Sequence, residues 1–157
     1  MEELTLQGEI TKYIIVRLGE EQFGIDIQYV DNIVRMQNCT RVPKTPKHIN
    51  GVINLRGEII PIMSARIKMG YDKDEFTKNT RIIILKPDKS EQASIGVLVD
   101  QVKEVVNLSD EQIEKIAYDK TDKKPFAFGI GKRGAELISL LDINVLISET
   151  EITKEKQ

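Results

Sequence analysis

Side chains able to do chemistry are few in this chain and poorly spaced for it. There is one His, His48, and one Cys, Cys39. A zinc site would have to add at least two carboxylates to that pair, and no helical H-x-x-x-H spacing exists. A Cys–His dyad is not forbidden by their separation in sequence. Cys39, however, stands beside turn-forming polar residues and His48 follows Pro46 in a second turn. The residues favour a structural or idle thiol and a surface or packing imidazole. Gly129-Ile130-Gly131-Lys132-Arg133-Gly134 matches G-x-G-x-x-G by letter. A dinucleotide site needs that turn to open a helix, with an acidic residue about 20 positions on. Ala135 to Leu140 reads instead as a strand, and Lys154 stands where the acid should be. The motif is a glycine-rich hairpin. Carboxylate pairs at Asp72 and Asp74 and at Asp119 and Asp122 lie in polar links, without the apolar neighbours that raise one pKa for acid–base work. They read as solvated loop charges.

Arg56 stands apart from these. It lies at a tight turn, Leu55-Arg56-Gly57-Glu58, between strands whose side chains should be buried. One reading is a solvated hairpin tip. The other is a binding residue, because a planar fork of donors is enriched at interface hot spots.

Composition narrows the classes further. The 157 residues are 40% hydrophobic and 31% charged, a globular balance for one ordinary domain or two very small ones. Lys and Arg number 23 against 25 Asp and Glu, and neither sign collects in a long run. A phosphate backbone or anionic membrane would reward such a run. Nucleic-acid binding by a small barrel also calls for aromatic stacking platforms, and the chain has no Trp and scattered Tyr and Phe. A single Cys excludes an intrachain disulfide, and no stretch approaches a membrane span or a signal peptide. A soluble cytoplasmic protein without cofactor or metal is expected.

The elements that must position any site are short strands. Tyr13 to Leu18, Phe23 to Ile27 and Val30 to Met36 carry β-branched or alternating apolar residues. Gly51 to Leu55 and Glu58 to Ile62 flank the Arg56-Gly57 turn, with Pro61 placing the second at an edge or its end. Ser64 to Met69 predicts a short helix closed by Gly70, and Ser109 with Gln112 predicts a capping box. Residues 1–11 and 149–157 are expected to be flexible tails.

The pattern then repeats. Ile14-Ile15-Val16 returns as Ile82-Ile83-Ile84. Gly24-Ile25-x-Ile27 followed by Val30 and Ile33 returns as Gly96-Val97-x-Val99 followed by Val102 and Val105. Gly57-x-Ile59-Ile60-x-Ile62 returns around Gly134 to Leu140. Each half, 12–70 and 80–147, supplies about five short strands and a closing helix, and five short antiparallel strands hide their edges best in a small barrel. A lone barrel of that size is marginal, so the two should pack on a shared apolar layer and leave a groove at the seam.

Gly24-Ile25-Asp26-Ile27-x-x-Val30-x-x-Ile33, Thr40-Arg41-Val42-Pro43, Asn54-Leu55-Arg56-Gly57-x-x-Ile60-Pro61-Ile62 and Gly96-Val97-x-Val99-Asp100-x-Val102 together resemble the CheW family of chemotaxis coupling proteins. The resemblance runs from about Lys12 to Ile147 and includes Leu140-Leu141-Asp142. It implies a mainly β fold of two packed SH3-like five-stranded β-barrels with a few short helices. It also implies a non-enzymatic adaptor that binds the regulatory domain of a CheA-type histidine kinase and the cytoplasmic tip of chemoreceptors, recruited to membrane-associated arrays without entering the membrane. Partner contacts are expected at Val30, Asn32, Ile33 and Gly51, at Arg56 and Gly57, and at Gly96, Val102 and Val105. Ser64-Ala65 stands where the family commonly has Asp-Leu, and Asn32 where it commonly has an acidic residue. The rival readings are an isolated SH3-like module for peptides or nucleic acid, and a small enzyme using Cys39.

Overall fold

The computed structural model describes residues 9–87, 94–117 and 125–148. The chain forms β1 (Ile10–Leu18), β2 (Glu21–Asp26), β3 (Val30–Arg35), β4 (Ile49–Leu55), β5 (Glu58–Ser64), α1 (Ala65–Lys68) and β6 (Arg81–Leu85). It continues through β7 (Ile95–Val99), β8 (Gln101–Ser109), β9 (Ile113–Lys115), β10 (Ala127–Arg133), β11 (Glu136–Leu141) and α2 (Ile143–Ile147). Single 3-10 turns at Ile27–Tyr29 and Asp110–Gln112 precede β3 and β9. At the second of these, Gln112 Oε1 accepts from Ser109 N at 2.8 Å, so the capping box forms on one turn.

The strands build two sheets, β8-β1-β2-β11-β10-β9 and β3-β6-β7-β5-β4. Each sheet therefore takes strands from both sequence halves. β1 and β2 leave their own half to pair with β8 and β11, while β6 and β7 pair with β3 and β5. The duplication survives this exchange. Substituting β6, β7, β3, β5 and β4 for β1, β2, β8, β11 and β10 converts one order into the other, down to the parallel pair that joins β2 to β11 and β5 to β7. Each barrel closes through the segment after its edge strand. In one, β9 pairs with β10, and in the other Thr40 alone bridges Val52. Hence one sheet has six strands where five were expected.

Alternation along the inner strands divides the core into three. Ile14, Val16 and Leu18 of β1 and Ile83 and Leu85 of β6 face a central cluster shared by both sheets. Tyr13 and Ile15 point into one barrel, and Ile82 and Ile84 into the other. The shared layer expected from the size of the halves is thus the largest of the three. Ladder registers also correct the repeat by one residue. Ile15 pairs with Gly24 and Ile84 with Gly96, so Ile15 corresponds to Ile84 rather than to Ile83. A run of three isoleucines carries no register of its own, and a one-residue slip exchanges its two faces.

Pro61 departs from the edge expected for it, because β5 lies between β7 and β4. β7 joins β5 only from Ile62 onward, so Pro61 faces β4 alone and its missing N–H breaks no bond to β7. The first strand starts at Ile10, two residues inside the stretch expected to fray; residues 1–8 and 149–157, and the pair Asp119 and Asp122, lie outside the described residues.

Candidate functional site

The two edge strands β3 and β8 carry the residues that the repeat relates. Val30 pairs with Leu85 and Ile33 with Ile83, both partners belonging to the shared layer. Val102 pairs with Val16 and Val105 with Ile14, again shared-layer residues. Directly opposed side chains in a ladder share a face. All four therefore stand on the inter-barrel faces of their sheets. Val30 and Val102 are half-buried against the central cluster. Ile33 and Val105 lie further out, 36% and 52% exposed. Each edge strand is bulged just after its inner valine, at Asp31 and at Lys103, which preserves the equivalence. Asn32 is half-buried, and its Oδ1 accepts from the Ile33 amide at 2.8 Å.

Arg56 and Gly57 form a two-residue hairpin loop between the paired Leu55 and Glu58. Both have positive φ, 54° and 86°, as a primed turn demands. Asn54 Oδ1 accepts from Gly57 N at 2.9 Å and braces the turn. Arg56 and Gly57 are exposed, and no heavy atom stands within 4 Å of where a Cβ on Gly57 would lie. Arg56 thus stands exposed at a tip braced by Asn54.

Gly51 and Gly96, expected among the partner contacts, are buried, each where an added Cβ would meet a neighbour. A Cβ on Gly51 (φ 145°) would stand 2.5 Å from the carbonyl oxygen of Thr40, where the closing segment crosses β4. Gly129 has the same duty in the other barrel, 3.1 Å from the oxygen of Glu114. A Cβ on Gly96 would meet Ile62 Cδ1 at 2.6 Å and Ile82 Cγ2 at 2.8 Å. Gly24, its counterpart, would meet Leu140 Cδ2 at 2.9 Å.

A polar clip fastens one end of the molecule. Asp100, between β7 and β8, accepts from Arg66 Nε at 2.9 Å and Nη2 at 2.6 Å, and from the Gly19 amide at 2.8 Å. Burial alone would raise the Asp100 pKa, but these donors hold it below the usual carboxylate range. Asp74 is not the solvated loop charge that its sequence neighbours suggest. It is half-buried, accepts from Ser64 Oγ at 2.5 Å, and burial pushes its pKa up despite that bond. Ser64 also caps α1, accepting from Ile67 N at 3.1 Å, as Asp142 caps α2 through Val145 N at 3.2 Å. The Ser64 departure is therefore absorbed by a different N-cap side chain, with Asp74 supplying a carboxylate from the following link.

Burial raises the pKa of the Cys39 thiol, the reverse of what an activated nucleophile needs. Among the described residues no three His, Cys, Asp or Glu side chains gather where a metal could sit. No helix of the described residues is long and apolar enough to cross a membrane. Residues that the sequence reading missed are Ile59 and Leu137, 58% and 64% exposed at equivalent points of β5 and β11. Arg35 and Arg81 were missed as well; they stand opposite each other across the β3–β6 ladder. Exposure of single apolar residues and cross-strand pairing leave no local signal.

A rigid body of two equivalent SH3-like barrels, with apolar edges and a cationic hairpin tip turned outward, defines a class of protein that works through its surfaces. Comparison with known proteins agrees. A family model described as a CheW-like domain matches residues 12–151. The chemotaxis protein CheW of Klebsiella aerogenes is 35% identical over 150 residues, covering 94% of this chain and 89% of that protein. That of Helicobacter pylori is 28% identical, covering 90% of this chain and 84% of that protein. The crystal structure of the scaffolding protein TtCheW from Thermoanaerobacter tengcongensis superimposes with a TM-score of 0.80 at 31% identity, covering 93% of this chain and 99% of that one. The chain belongs to the CheW-like family, and its function is that of a chemotaxis adaptor.

Proposed function

We propose that this protein couples the cytoplasmic tips of chemoreceptors to the regulatory domain of a CheA-type histidine kinase, in the cytoplasm and within membrane-associated arrays. It does so by binding alone, without catalysis or cofactor. The observation that carries the reading is the placement of Val30, Ile33, Val102 and Val105 on the inter-barrel faces of the two edge strands. Apolar walls graded from half-buried to exposed suit a helix laid into a groove, which reads as anchors at helical spacing. Arg56 and Gly57 at the hairpin tip complete the partner surface, while Asn32, paired with Ile84, lies on the opposite face of β3 from Ile33. Separate surfaces on one rigid body let receptor state bias the kinase without chemistry in the adaptor.

The test is a pull-down of the organism's own CheA-type kinase by this protein, with and without a chemoreceptor cytoplasmic fragment. Retention of both partners is expected. Failure to retain either one at micromolar concentrations overturns the reading.

A further inference from the structure

The wall of the groove on the β3 side does not end in an apolar residue. Arg35 lies two residues beyond Ile33 and so on the same strand face, and its ladder partner is Arg81. Two like charges directly opposite in an antiparallel pair are destabilising. Among the described residues no carboxylate comes within ion-pair distance of either arginine. Arg81 is nevertheless held firmly, since its Nη1 donates to the carbonyl oxygens of Lys78 and Thr80, each at 2.9 Å. Lys78 adds a third cation to the rim of a surface concavity of about 440 Å³ that both arginines line. The sequence reinforces this sign: between Asp31 and Glu58 the chain has no acidic residue, but carries Arg35, Arg41, Lys44, Lys47 and Arg56.

The second barrel shows that the fold does not require such a pair. At the equivalent ladder position Lys12 stands opposite the neutral Asn107. A cation pair without a carboxylate partner, present on one barrel only and continuous with an apolar wall, is complementary to a carboxylate brought by whatever occupies the groove.

Resting on the proposed receptor-binding groove, we propose that Arg35 and Arg81 form the anion-docking end of that groove, and that the helical segment seated there carries an acidic side chain about one turn beyond the apolar residue that meets Ile33. Two strand residues span about 7 Å. An acid three to four helical residues further on lies about 5–6 Å along the helix, which brings a flexible arginine side chain within reach of it. The partner is an acidic helical protein segment rather than a nucleic acid, because the cations continue an apolar wall and the one exposed aromatic beside them among the described residues, Phe76, is a single ring rather than a row of stacking platforms.

Binding of a chemoreceptor cytoplasmic hairpin fragment from the same organism is measured by calorimetry at two or more salt concentrations. The variants are Arg35→Glu, Arg81→Glu, Ile33→Lys and, on the other barrel, Lys12→Glu. Arg35→Glu should keep or raise the melting temperature, since it replaces a repulsive pair with an attractive one, so loss of binding will not reflect unfolding. Weakening of about tenfold at low salt is expected for both arginine reversals, with a flatter salt dependence than the wild type and little effect of Lys12→Glu. If Ile33→Lys abolishes binding while the arginine variants bind as the wild type does, the groove stands and the anion-docking end is wrong. An equal loss from Lys12→Glu overturns it, as does binding of a single-stranded oligonucleotide, titrated in parallel, that the arginine reversals abolish while fragment binding is unchanged. If Ile33→Lys is silent, the groove reading fails and this inference falls with it.

Discussion

Arg56 occupies, in the hairpin between β4 and β5, the position that Gly134 occupies between β10 and β11. Both follow from the strand registers, in which Leu55 pairs with Glu58 and Arg133 with Glu136. Both residues are left-handed, with φ of 54° and 61°. One barrel thus fills this position with the residue best suited to it, and the other holds an arginine there. A left-handed residue with a Cβ costs roughly 1–2 kcal/mol, and asparagine tolerates the region better than most. An arginine kept in that conformation points to a use for its side chain rather than for its backbone.

Arg56→Asn should therefore raise stability by about 0.5 kcal/mol or leave it unchanged, as read by thermal unfolding. Arg56→Glu should melt near the wild-type temperature. Both should depress kinase activation in a reconstituted receptor array, the reversal most severely, since loss of a central interface arginine typically costs on the order of 2 kcal/mol or more of binding. Normal coupling by a folded Arg56→Glu variant would reduce the turn to an ordinary hairpin tip.

The graded exposure of the four residues proposed to wall the groove separates fold from function at neighbouring positions. Val30 and Val102 touch the central cluster, so Val30→Lys and Val102→Lys should each lose about 2 kcal/mol or more of stability. Ile33→Lys and Val105→Lys place the ammonium where a third to a half of the native side chain already meets water. These two should unfold within about 0.5 kcal/mol of the wild type yet lose receptor binding. Should the outer pair unfold as readily as the inner pair, all four are core and the groove assignment is lost.

The two buried glycines test packing against partner contact. Gly51→Ala drives a Cβ against the backbone oxygen of Thr40 in a backbone region that L-residues avoid, and neither can yield cheaply. It should be the most destabilising glycine substitution in the chain. Gly96→Ala meets only side-chain ends, of Ile62 and Ile82. Its loss should be smaller and partly recovered by Ile62→Val, which shortens the nearer neighbour. Recovery of both folding and receptor binding by that second substitution, measured together, would place Gly96 in the core alone.

Much of this architecture is legible in the residues, and the parts that are not share one cause. The Arg56-Gly57 turn, the Ser64 helix and the β-branched run of β1 are local signals, and each appears where its residues place it. Which barrel a strand joins is not local. β1 and β2 carry the same repeat whether they pair within their own half or across to the other. Gly51 and Gly96 read as partner contacts until the approach of Thr40 to the one and of Ile62 to the other is known. Asp74 looks solvated because its sequence neighbours are polar, and only the fold sets it against Ser64. The Arg35–Arg81 pair joins residues far apart in the chain, so no window of sequence contains it.

Asp100 and Asp74 should move stability in opposite directions with pH. The folded-state pKa of Asp100 lies below its ordinary value near 3.8. Its contribution is therefore fully present above that value and is lost as pH falls through the folded value. Asp74 is raised above 3.8 in the folded state. What it contributes is fully present below the ordinary value and is lost as pH rises through the folded one, so at neutral pH its charge opposes folding. Asp100→Asn removes the charge that Arg66 and the Gly19 amide both engage, and should cost about 2 kcal/mol at pH 7. In a chain of this size that is a fall of roughly 5 °C in melting temperature. Asp74→Asn can still accept from Ser64 Oγ without a half-buried charge, and should leave the pH 7 melting temperature equal or higher. Relative to each variant, the wild type should lose ground toward acid against Asp100→Asn and gain it against Asp74→Asn. Melting curves from pH 3 to 7 on the three proteins decide this, and parallel profiles would mean that neither carboxylate is perturbed by its surroundings.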